Sequence, residues 1–238
     1  FAPLPPPTGP VRATSLYSIL QRRYEAYKSI VVRPFFRDHF ARLDRQIVLV
    51  DTLRALNAGP AAVTDLEAAL TDILSCFRQG DNNPLTRLVA RRIDRILFAA
   101  TKADHLHHSQ HPRLTAIMQA MLREAQSRAD FAGAETMAIS MASLRCTVEE
   151  TLSRDGVALD AVRGRLLDTG KQVAMYPGQL PSDPARLLSP AREGAEKWLD
   201  ADYGLMAFAP ARSSLRPGDG PPHIRLDRAA EFLIGDRL

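Results

Sequence analysis

Three short segments carry residue types that can do chemistry together: Asp51-Thr52, Thr101-Lys102-Ala103-Asp104 and Ala142-Ser143-Leu144. Each follows a stretch that reads as a buried strand, RQIVLV before Asp51, RILFAA before Thr101 and ETMAIS shortly before Ser143. Open α/β sheets bind ligands outside the carboxyl ends of their strands, so these three ends are where a ligand would be met. A carboxylate at Asp51 can hold Mg²⁺, usually through water, because this small hard cation prefers oxygen and keeps much of its hydration shell; Thr52 is placed to support it. Guanine presents an N1–H and an N2 amino group side by side, a pair that one ionised carboxylate accepts and that adenine lacks, and Asp104 is the candidate for that role. The alkyl stem of Lys102 can lie over a base with its ammonium in water, Thr101 can brace the loop, and a backbone N–H near Ser143 can donate to the guanine carbonyl oxygen. The plainer alternatives are a helix cap or turn at Asp51 and a solvated loop at TKAD. One four-residue match is weak, and three strand ends in this order are stronger.

The elements that must position these residues follow from periodicity. Ser15 to Leu43 has apolar residues at helical spacing, with Pro34 expected to end or kink the helix and able to start a second one. The β-branched run RQIVLVD reads as a strand buried on both faces, RILFAAT as a second buried strand and ETMAIS as a third strand. Ala61 to Arg78, stopping at Gly80, and Pro112 to Arg128 read as the intervening helices. Strand, helix, strand, helix, strand at this spacing predicts a parallel α/β sheet. Beyond Arg145 the pattern turns β-rich. AVRGRLLD and KQVAMY predict a hairpin around Thr169-Gly170, YGLMAFAP and PHIRL two short strands, Pro177 to Ala191 a loop, and DRAAEFLIG a terminal helix capped by Asp227. The expected divisions are a Pro-rich lead with a kinked helix (1–45), part of a ligand-binding α/β domain (46–147) and a β-rich region with a terminal helix (148–238).

Composition narrows the alternatives. The 238 residues are 45% hydrophobic and 24% charged, which excludes disordered, collagenous and coiled-coil classes. The net charge of +4 is spread among acids and aromatics are only 6%, so no specific nucleic-acid binding is expected. No apolar run reaches membrane-helix length, the opening FAPLPPPTGP is not a signal peptide, and the start at Phe1 reads as a piece cut from a longer chain. Cys76 and Cys146 form no CxxC pair and fit reduced thiols in the cytoplasm. His105, His107, His108 and His111 cluster after TKAD; His107 with His111 can share a helical face as a metal pair, while a polar loop rimming the pocket is the plainer reading. Glu149, Glu150 and Asp155 read as carboxylates near a helix start, and Ser140 and Ser143 form no nucleophile–base arrangement. The basic stretch Tyr17 to Arg42 is expected to pack on the sheet with its charges in water; presentation of Arg22, Arg23, Lys28, Arg33, Arg37 and Arg42 to an acidic lipid surface is the alternative.

The strand-end order, an aspartate, then [N/T]KxD, then a short Ser-containing loop, is that of the later nucleotide-binding motifs of a Ras-like GTPase. The blocks RRYEAYK, RQIVLVD, LNAGP, LFAATKADH, AMYPG and PHIRLDRAAEFLIGDRL resemble the C-terminal half of the YcjX-like family of P-loop GTP-binding proteins, a bacterial stress-associated group, over nearly the whole chain. The resemblance implies a Ras-like P-loop α/β fold with extra elements, GTP or GDP with Mg²⁺ as ligand, slow hydrolysis, a role in envelope or heat stress beside a membrane-protein partner, and a cytoplasmic location with peripheral contact to the inner membrane. It matches Asp51 to the acidic position and Thr101, Lys102 and Asp104 to the base-recognition motif, with Ser143 a looser match. A P-loop ATPase of the same family and a non-enzymatic, membrane-associated scaffold are the alternatives. The family's phosphate loop GxxxxGK[ST] has no counterpart here: in GRLLDTGK, Gly164 to Lys171, five residues separate the glycines and Gln172 replaces the Ser or Thr. This chain alone is therefore expected not to hydrolyse GTP.

Overall fold

Three six-residue strands, β1 (Arg45–Val50), β2 (Arg95–Ala100) and β3 (Glu135–Ser140), form a parallel sheet in the order β1-β2-β3. In this computed structural model, which describes residues 4–39, 43–76, 93–128, 134–198, 203–210 and 220–238, the register aligns Val50, Ala100 and Ser140. That alignment is what brings three distant segments side by side. β2 is buried on both faces because successive side chains point to opposite sides. Ile96, Phe98 and Ala100 enter one core with Leu56, Leu70 and Met118, and Leu97 and Ala99 enter a second with Ile139 and Ala229.

The described residues divide into two compact units, 4–39 with 43 and 44, and those from Arg45 onward. In the first, α1 (Leu16–Tyr27) is capped by the Ser15 hydroxyl, which accepts from the Ser18 N–H. A π-helical turn, Lys28–Val32, joins it to α2 (Arg33–Asp38). Pro34 stands in the first turn of α2, so the second helix it could start is there, and the π-helical turn just before it separates that helix from α1. Arg42 lies outside the described residues.

In the second unit, β1 leads through α3 (Thr52–Ala58) and α4 (Pro60–Cys76) to β2, and α5 (His111–Arg128) connects β2 to β3. The helix α3 was not expected; Asp51 caps it by accepting from the Arg54 N–H. Gly80 lies outside the described residues. A second, antiparallel sheet follows, β4 (Thr147–Arg154), β5 (Val157–Arg165) and β6 (Gln172–Met175). The β5–β6 hairpin matches the predicted one. The β4–β5 hairpin was missed although its signal is in the sequence: Asp155 and Gly156 both have positive φ, 52° and 76°, as a two-residue turn of type I′ requires. Glu149 and Glu150 consequently sit on a strand and not at a helix start. YGLMAFAP and PHIRL form no strands and contribute one bridge each, Leu166 to Phe208 and Ala142 to Ile224.

The segment predicted as loop holds α6 (Ala185–Arg192), whose Leu187, Leu188 and Ala191 are buried against the core. An apolar face made by three residues outweighed Pro, Ser and Asp content. The terminal helix α7 (Leu226–Ile234) begins one residue before Asp227, so that carboxylate sits in the first turn, where it complements the dipole, and is not the cap.

α6 is fastened by Arg192, whose guanidinium forks onto Glu67 of α4 at 2.6 and 3.0 Å; the Glu67 side chain is 1% exposed. Replacing Arg192 leaves that carboxylate buried without its partner. Arg192→Met is expected to cost about 2–3 kcal/mol, somewhat less than for a wholly buried pair because Arg192 itself is partly exposed. Urea titration should show a lower midpoint at unchanged slope, and a midpoint equal to wild type would contradict this role.

Candidate functional site

The level strand ends open into a cleft of about 750 Å³, within the range of small-molecule pockets. Thr101, Lys102, Asp104, His105, Ser143 and Cys146 line it, facing the Leu205–Phe208 segment. Ladder bonds continue past the strands and fix the loop: the Thr101 N–H donates to Val50, its hydroxyl reaches the same carbonyl at 3.3 Å, and the Ala103 N–H donates to Met141. Thr101 thus ties the start of the loop back to β1 through both its N–H and its hydroxyl. Lys102 adopts a left-handed conformation, φ 61° and ψ 32°, rare for a residue with a Cβ and costing of order 1 kcal/mol, which the surrounding bonds must outweigh.

Asp104 sits at the bottom of this loop with 3% of its surface exposed. Its Oδ2 accepts from the Cys146 N–H at 2.7 Å, and the Thr147 hydroxyl donates to the Asp104 carbonyl. Oδ1 accepts from no described residue, so a carboxylate with four lone-pair sites keeps capacity for a ligand. Neither donor is legible in sequence, because they come from the residue just before β4 and the first residue of β4, 42 and 43 residues away. The Cys146 thiol is pushed up from its ordinary pKa by burial and by the Asp104 charge, which keeps it protonated and unreactive.

Ser143 is exposed at the rim. The flanking N–H groups of Ala142, Arg145 and Cys146 are engaged by Ile224, Pro222 and Asp104. Among the described residues nothing accepts from the N–H groups of Ser143 and Leu144. Ser140 is instead a buried structural residue, bonded to Thr115, His111 and Arg225.

Asp51 and Thr52 are arranged differently from the magnesium pair expected of them. The two Asp51 oxygens are engaged by the Arg54 N–H at 3.2 Å and the Lys102 ammonium at 2.6 Å. The Thr52 hydroxyl is fully buried, 3.7 Å from the Met118 sulfur. As it stands Thr52 offers no accessible oxygen, and direct ligation of Mg²⁺ by Asp51 would require Lys102 to leave it, since the ion tolerates no ammonium in its shell. Asp51 acts as a helix cap and as the anchor of Lys102.

The histidines split into two pairs. His111 does not join His107: it is 2% exposed, with Nε2 against the carbonyls of Ala103 at 2.8 Å and Leu106 at 3.3 Å. His105 is also buried, with its ring edge-on to Phe208 and its Nδ1 without a hydrogen-bond partner among the described residues. His107 and His108 instead face Glu149 of β4.

The chain matches the YcjX-like family, DUF463, over residues 1–238. It is 39% identical over 221 residues to the protein named Ras-like GTPase YcjX of Escherichia coli (strain K12), covering 92% of this chain and 45% of that one. It is 34% identical over 226 residues to the Ras-like GTPase YcjX of Shewanella oneidensis (strain MR-1), covering 94% and 45%. The chain spans about half the length of these curated relatives.

Burial lowers the pKa of His105, against the opposing Asp104 charge, and burial likewise lowers that of His111, against its bonds to Ala103 and Leu106. Both are neutral in the fold. When the chain unfolds below the ordinary histidine value of about 6.5, it takes up protons that the fold does not hold, so stability is full above that value and is lost as pH falls. The urea midpoint should fall from pH 7.5 to pH 5.5, and His111→Asn should flatten the dependence. A midpoint that stays level or rises on acidification would contradict this.

Proposed function

Because this chain belongs to the YcjX-like family, we propose that its strand-end cleft is the base-binding side of a guanine-nucleotide site. One observation carries this most: the buried Asp104 carboxylate lines an open cleft with one oxygen uncommitted. Guanine's N1–H and N2 amino group supply the two donors it can accept. The Lys102 stem, held in a left-handed turn and tethered by Asp51, is available to cover the base plane, and the N–H groups of Ser143 and Leu144 are available for the base carbonyl oxygen.

The names of the two relatives support GTP as the nucleotide. Slow hydrolysis and a role in bacterial stress rest on the resemblance. Asp51 could reach magnesium only through water while it holds Lys102, and the buried Thr52 hydroxyl would not ligate it directly. Among the described residues no helix is long and apolar enough to cross a membrane.

Calorimetry on the polypeptide as its gene encodes it tests the base assignment. GDP is expected to bind more tightly than ADP. Asp104→Asn is expected to weaken GDP by about 30–150-fold, or ~2–3 kcal/mol of charge-assisted hydrogen bonding, and to favour the xanthine nucleotide, whose C2 carbonyl accepts from the new amide. Equal affinity for ADP and GDP, or an Asp104→Asn variant that binds GDP as wild type, would overturn it.

A further inference from the structure

We propose that His107, His108 and Glu149 form a binding site for a divalent metal ion of the zinc class, open on one side and separate from the nucleotide cleft. Two imidazoles and one carboxylate are the donor set of three-ligand zinc sites, whose fourth position is left to water. Among the described residues this is the group of three metal-ligating side chains whose donor atoms converge, all within 4.8 Å of one another. None of the three lines the cleft.

The spacing is close to what coordination needs. Ligand atoms about 2.0–2.1 Å from a tetrahedral zinc stand roughly 3.3 Å apart. His107 Nε2 lies 3.7 Å from Glu149 Oε2, and His108 Nδ1 lies 2.6 Å from the same oxygen. An ion therefore has to separate a single hydrogen-bonded pair by less than about 1 Å, which a side-chain rotation of the exposed His108 provides. His107 and Glu149 are the fixed members, with side chains 13% and 25% exposed, and His108, 69% exposed, marks the open side where an ion enters.

An outer layer of contacts distinguishes this group from an ordinary surface cluster. Metal-ligating histidines usually donate their second ring nitrogen to an oxygen, which fixes tautomer and orientation. The His107 Nδ1 lies 2.9 Å from Ser109 Oγ and 3.4 Å from Asp160 Oδ2, and Ser109 donates to that same Asp160 oxygen at 2.9 Å. Without metal, Nδ1 also faces the Ser109 N–H at 3.3 Å; binding through Nε2 selects the tautomer in which Nδ1–H donates to Ser109 or Asp160 instead. The second Glu149 oxygen is held by Arg145 at 3.2 Å.

The ion would join the turn after the TKAD segment to β4, the strand whose first residues hold Asp104, and so would stiffen both. The site stands or falls independently of the nucleotide assignment. Tag-free protein stripped with a chelator is titrated with Zn²⁺ by calorimetry and with Co²⁺ by visible absorption. One equivalent is expected to bind with a dissociation constant on the order of 1 μM or lower, with the intense ligand-field bands of a four- or five-coordinate cobalt site and a raised melting temperature. His108→Ala, at an exposed position that spares the fold, and Glu149→Gln are each expected to weaken binding at least about tenfold, and Asp160→Asn by about tenfold through the outer contact. Absence of a saturable equivalent, a pale six-coordinate cobalt spectrum, or affinity unchanged in both His108→Ala and Glu149→Gln would overturn the proposal.

Discussion

Asp104 is a carboxylate almost wholly withdrawn from bulk water, and a charge in that position is tolerated only where hydrogen-bond donors replace the lost hydration. No neighbour in sequence supplies them. The Cys146 N–H, at the entry to the antiparallel sheet, donates to the carboxylate, and the Thr147 hydroxyl ties down the Asp104 backbone carbonyl, so the loop after β2 is held by that second sheet. The parallel sheet alone would deliver TKAD to the right edge and leave its central residue without support.

That dependence explains how the second sheet is joined to the first. The chain passes from β3 through Met141–Cys146 straight into β4, and the bridge from Ala142 to Ile224 ties the same passage to the segment leading into α7. The β5 strand in turn meets Phe208, which packs edge-on against His105. Elements from both sheets and from the C-terminal segment therefore converge on three consecutive residues, Ala103 to His105. The cleft is lined by rigid elements on the sheet side, which favours a preorganised ligand site over one assembled on binding.

The features legible in sequence were those whose cause is local. RILFAA is buried on both faces and reads as continuously apolar; the Thr169-Gly170 turn carries its own chemistry; Asp104 stands out because TKxD is compact. Two kinds of feature were harder. Asp155-Gly156 was a local signal overlooked because the flanking strands, TVEETLSR and VALDAVRGR, alternate weakly. The helix Ala185–Arg192 depends on tertiary burial and on the Arg192–Glu67 fork across 125 residues, which no local pattern encodes. The same limit applies at the site. That Lys102 would claim an Asp51 oxygen, turning an expected magnesium ligand into an anchor, follows from strand register and not from either motif.

In the proposed complex Asp104 accepts two donors from one edge of a base. Inosine differs from guanosine by the loss of the N2 amino group alone, so a comparison of GDP with IDP on the gene-encoded polypeptide isolates one of those two bonds. Binding weakened on the order of tenfold or more for IDP is the expected result, since a site built to pair a donor discriminates against a ligand that lacks it. Equal affinities for GDP and IDP would contradict it.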